Sequence, residues 1–163
     1  MTFDQSEDEI QAHIDGPVQA AYEWLQAVVD ERDFEAVWKL TAPERQRTRA
    51  RAWLERNPQL VPAADIERTI ERLVRGTAPE PLRSGFAAAE LKAYVESFGH
   101  LDTDQMGAAS RPRVIGPDAE LVLLAQLGQE RMDFTEPILV PSVMFLMHLV
   151  QNRWLVADPD YRS

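Results

Sequence analysis

The sequence predicts an α+β protein in which helices pack on an antiparallel sheet. Three observations lead there. Apolar residues recur at helical spacing between residues 15 and 98. Between residues 111 and 158 they gather instead into runs of strand length. Short polar turns join those runs, so neighbouring strands run antiparallel. The chain has 163 residues, 45% of them hydrophobic and 27% charged. That predicts one globular domain, residues 15–163, behind an acidic tail at 1–14, with length enough for a real core.

The first helix starts at Gly16-Pro17. Asp15 can cap it, and Pro17 suits the first turn because its missing N–H needs no partner there. Val18, Ala21, Tyr22, Leu25, Val28 and Val29 form one buried stripe. Asp33 opens a short second helix with Phe34, Val37 and Trp38 on one face. Thr41-Ala42-Pro43-Glu44 stops it and starts a third, which ends at Asn57 because Pro58 disfavours helical geometry before it. A fourth helix spans Ala63–Arg75, with Gly76 past its end. A fifth, capped by Ser84, runs to Phe98, and residues 99–110 read as a loop. Strands follow at Pro112–Ile115, Glu120–Leu127, Ile138–Val150 (bent near Pro141) and Trp154–Ala157. Gln151-Asn152-Arg153 is the tight turn of the last hairpin.

The long strand is apolar on both sides. Ile138, Val140, Met144, Leu146 and Val150 share one face; Leu139, Val143, Phe145, Met147 and Leu149 share the other. An antiparallel sheet with one wet face would alternate polar and apolar residues. A single helical layer covers one face, so the second needs a cover of its own: a partner subunit, a further helix or a ligand.

Charge and motifs exclude several classes. There are 17 basic and 27 acidic residues, a formal charge of −10, which argues against nucleic acid. Residues 1–15 hold five acids and no Lys or Arg. Arg45, Arg47, Arg49, Arg51 and Arg56 crowd the third helix, but at 100° per residue Arg45, Arg49 and Arg56 take one side and Arg47 and Arg51 the other. A divided cluster reads as a solvated face, open to pairing with the acidic tail. There are no cysteines, which rules out disulfides, thiolate metal sites and a Cys nucleophile. No two glycines stand two apart, and neither GxSxG nor HExxH occurs, so no phosphate-cradling or hydrolase motif is present. His100-x-Asp102-x-Asp104 lacks the glycine and later Glu of a calcium loop and reads as a polar loop, so no metal or other cofactor is expected. No apolar run is long enough to cross a membrane, and the N-terminus lacks signal-peptide features, so a cytoplasmic protein is expected. Fifteen arginines against two lysines suggest a GC-rich bacterial genome.

Two stretches carry a family resemblance. Pro17–Thr41, PVQAAYEWLQAVVDERDFEAVWKLT, resembles the paired opening helices of the NTF2-like superfamily, the SnoaL-like and ketosteroid-isomerase-like (cystatin-like) cone fold. Phe145–Asp158, FLMHLVQNRWLVAD, resembles its closing hairpin with a Trp-led last strand. The resemblance implies a curved sheet wrapped round the long first helix, with an apolar cavity inside the cone. It also implies dimers formed sheet to sheet. Its members include isomerases, dehydratases, polyketide cyclases and binding proteins, so an activity must come from the site.

Candidate site residues follow. Tyr22 and His148 are the two catalytic candidates. The similar isomerases place a tyrosine in the first helix as an oxyanion donor, and a histidine titrates near neutrality. Their carboxylate base finds no clear counterpart; Asp102, Asp104, Asp133 and Glu136 are the nearby acids. Tyr22, Trp38, Met144, Leu146, His148 and Trp154 are expected to line the pocket. The leading expectation is a non-catalytic homodimer, paired through the sheet, with a pocket for a small apolar molecule. The alternatives are a cofactor-free isomerase, dehydratase or cyclase, and a protein-interaction module docking through the arginine-rich helix or the acidic tail.

Overall fold

A computed structural model describes residues 16–126 and 141–162. The acidic tail, Leu127, Asp133, Glu136 and the expected strand start at 138–140 lie outside the described residues. Within them, five helices precede an open five-stranded antiparallel sheet, as the α+β expectation requires. No described helix is long and apolar enough to cross a membrane.

Helix α1 covers residues 16–31, α-helical over 16–26 and then widened into a π-turn at Ala27–Glu31. Arg32, at φ 50°, ends it in the left-handed region. Its buried arc is broader than the expected stripe. Ala20, Ala21, Trp24, Leu25, Ala27 and Val28 are buried, whereas Val18, Tyr22 and Val29 sit at the rim. The arc widens because α1 is covered both by the sheet and by a later helix, so the flanking Trp24 becomes the centre of the core.

Helices α2 (Phe34–Lys39), α3 (Pro43–Arg56), α4 (Ile66–Arg75) and α5 (Leu82–Phe98) lie close to their expected places. The Asp33 side chain caps α2 by accepting from Glu35 N. Helix α5 starts two residues before Ser84. Gly76 ends α4 at φ 73°, with its N–H returned to the Arg72 and Leu73 carbonyls. A side chain is disfavoured in that conformation, so Gly76→Ala is expected to cost about 1 kcal/mol. Urea titration checks this as a lower midpoint with an unchanged slope. Gly16 is small for a different reason. A Cβ there would stand 2.9 Å from the Trp154 ring, which packs against the start of α1.

Part of the expected loop is ordered. A 3₁₀ turn at Thr103–Gln105 leads into strand β1 (Met106–Ala108). Its three residues are too few to show a period of two. Strand β3 (Ala119–Gln126) carries β1 along its second half and β2 (Arg113–Gly116) along its first, on the same edge. Its other side pairs with β4 (Ser142–Val150), which pairs with β5 (Arg153–Asp158). Gln151 and Asn152, at φ 49° and 63°, make the two-residue turn whose twist matches a hairpin. Beyond β5 the chain at Leu40–Ala42 runs alongside as a short parallel rim: Val156 N donates to Leu40 O and Ala42 N to Val156 O.

Two apolar clusters hold the molecule together. The first lies between α1, α5 and the sheet and includes Trp24, Leu25, Tyr94, Phe98, Val122, Leu124, Val143, Phe145, Met147 and Val156. The second lies among α2, α3, α4 and α5, where Trp38, Trp53, Phe86, Ile70 and Leu73 meet. Phe86 stands at its centre, 5.3 Å from the Trp38 ring and 5.5 Å from that of Trp53.

Candidate functional site

The six expected pocket residues do not meet in one place. Tyr22 is half-buried at the rim of the first cluster, and its hydroxyl donates to the Thr103 carbonyl at 2.9 Å. The Thr103 hydroxyl in turn donates to Asp30 in the π-turn. Trp38 belongs to the second cluster, where its Nε1 donates to the Val74 carbonyl at 3.1 Å. Trp154 packs on the first cluster beside Gly16. Met144, Leu146 and His148 lie on the opposite side of the sheet from all three. Their alternating neighbours Val143, Phe145 and Met147 are the ones that join α1 in the core.

Among the described residues, aromatic rings pack closely between α1 and the sheet. Trp24, fully buried, receives Tyr94, Phe98 and Phe145 edge-on at centroid separations of 5.0, 5.5 and 5.8 Å. Its Nε1 donates to the Thr41 hydroxyl, which donates to the Val37 carbonyl. Rings therefore occupy the space between Trp24 of α1 and Phe145 of β4. Tyr22 and His148, on opposite faces of the sheet, do not converge on a common substrate position.

The outer face of the sheet is the broader candidate. The register sets Leu121 opposite Leu146, Leu123 opposite Met144, Ala119 opposite His148 and His148 opposite Leu155. Of these, Leu121 and Leu155 are buried, whereas Leu123, Met144, Leu146 and His148 remain part-exposed. Val150 continues the row, also part-exposed. Two open grooves flank His148. One, of about 270 Å³, runs from Leu146 and Ala157 to Glu44, Arg45 and Thr48 at the start of α3. The other, of about 300 Å³, is bounded by Pro117, Asp118, Ala119, Leu149 and Val150. Val114 and Ile115 on β2, 66% and 46% exposed, add apolar surface at the sheet's margin. The apolar run Leu121–Ala125 of β3 is two-sided in the same way as β4.

The arginine run is organised by its neighbours. Arg47 reaches Glu71 and Arg51 reaches Glu67, both on α4. On the opposite side Arg49 meets Glu90 of α5 through two hydrogen bonds of 2.8 and 2.9 Å. These arginines thus find carboxylates on adjacent helices. Hydrogen bonds donated to the Glu90 carboxylate raise the Arg49 pKa above its ordinary value against the opposing effect of burial. Burial likewise pushes the Tyr94 phenol up, against the lowering influence of Arg45. Among the described residues no group of His, Asp or Glu is arranged to hold a metal ion, and the three residues His100, Asp102 and Asp104 do not form one.

Comparison with protein-family models, curated proteins and solved structures finds no match to this chain.

Proposed function

We propose that this protein is a non-catalytic, NTF2-like cytoplasmic module that pairs with a second copy of itself through the outer face of its sheet and shelters a small apolar molecule there. One observation carries the reading. Leu123, Met144, Leu146 and Val150 lie side by side, part-exposed, on the face turned away from α1. Water contact at four large aliphatic positions is unfavourable, and a second such face removes it. The paired helices at 16–39 and the hairpin of β4 and β5 support the family resemblance. The separation of Tyr22 from His148 favours binding over catalysis.

Light scattering is expected to give twice the 18.5 kDa chain mass. Leu146→Glu places a charge at the centre of the face and is expected to remove at least about 2 kcal/mol of association free energy, leaving a folded monomer. A wild-type chain that stays monomeric at the highest attainable concentration overturns the reading.

A further inference from the structure

Helices α3 and α5 face each other through two rungs. On one, Arg49 meets Glu90; one turn away on each helix, Arg45 meets Tyr94. Both guanidinium groups lie over the Tyr94 ring, 5.8 and 5.9 Å from its centroid. The rungs are unequally satisfied. Arg49 has a carboxylate held by two hydrogen bonds. Among the described residues Arg45 has only the phenol oxygen, 3.3 Å from its Nε, and its salt-bridge partner Asp158 stands 3.8 Å away, beyond hydrogen-bond reach. Yet the Arg45 side chain is only 20% exposed.

The Tyr94 oxygen accepts from Arg45, so its own hydrogen remains to be donated. Ser97, one turn further along α5, adds another hydroxyl. All three open into a cleft of about 240 Å³ whose other walls include Ala93, Phe98 and Pro159. Several donors on one side and an apolar wall on the other suit a ligand with an acceptor-only head and an apolar body. Asp160 also lines the cleft and disfavours a second negative charge on the ligand. The volume lies just below the roughly 300–1,000 Å³ of pockets for drug-sized ligands, which limits the body to about one ring.

We propose that this cleft binds a small monocarboxylic acid, its carboxylate taken by Arg45 and the Tyr94 and Ser97 hydroxyls and its body laid on Phe98. The proposal does not depend on pairing of the sheets. High pKa suits the Tyr94 phenol to the donor role, since it keeps its proton at neutral pH.

Titration of the full chain with benzoate, followed by amide NMR, tests it, with benzamide and inorganic phosphate as comparison probes. Saturable one-to-one binding of benzoate, with shifts centred on residues 45, 94 and 97, is expected, and little response to benzamide. Arg45→Gln removes a charge-assisted contact and is expected to weaken benzoate about ten- to a hundredfold. Tyr94→Phe, which keeps the ring, is expected to weaken it by a smaller factor and decides the matter if Arg45→Gln fails to fold. Absence of saturable benzoate binding, equal affinity in the variants, or tighter binding of phosphate or benzamide than of benzoate overturns the proposal.

Discussion

Arg49→Met is expected to lower stability by about 3–5 kcal/mol, because it strands the Glu90 carboxylate, 1% exposed, without its partner. In a chain of this length each kcal/mol moves the melting temperature by about 2–4 °C, so a fall of about 6–20 °C is expected by circular dichroism. Arg49→Lys keeps the charge but not the two-pronged geometry and should fall between. The double variant Arg49→Met/Glu90→Leu removes both charges and should regain most of the loss, since the cost lies in the stranded ion rather than in the missing attraction. A single variant that melts with the wild type would show that water reaches Glu90.

The second large effect is expected at Trp24. Trp24→Ala deletes a fully buried indole touched edge-on by three rings, and about 3–5 kcal/mol should be lost. Against the roughly 5–15 kcal/mol that natural domains have in all, this approaches unfolding. Trp24→Phe keeps much of the ring but gives up the Nε1 donor to Thr41; Thr41 still bonds Val37, so a loss of about 1–2 kcal/mol is expected. Urea denaturation should rank the three proteins in that order at a common slope. An alanine variant as stable as the phenylalanine one would mean that the core collapses to fill the gap.

These two sites differ in how far the sequence announced them. The helices were legible because Pro17, Asp33, Pro43, Pro58 and Gly76 punctuate them. The β4–β5 hairpin was legible because Gln151-Asn152 interrupts two apolar runs. Strand β1 was not, since its three residues carry no period. The π-turn at Ala27–Glu31 leaves no mark that separates it from an ordinary helix end. The division of the arginines into two sides followed from angle alone, and the structure places Arg49 and Arg47 on opposite sides accordingly. What angle could not supply was the partner: Glu90 sits 41 residues away on another helix, and nothing local links the two. The same limit applies to the expected pocket. Tyr22, Trp38 and His148 were grouped through a resemblance, whereas their positions depend on which side of the sheet each element packs, a long-range property.

The chain beside β5 has one more consequence. Leu40 and Ala42 occupy the backbone N–H and C=O of Val156 on that margin, and residues 109–112, with Pro112 among them, interrupt the opposite one between β1 and β2. Lateral addition of strands, the growth mode of fibrils, thus meets an occupied position at Val156 on one flank and a gap on the other. The back-to-back pairing proposed above would bury the apolar outer face in a single symmetric contact and give a closed pair rather than a polymer.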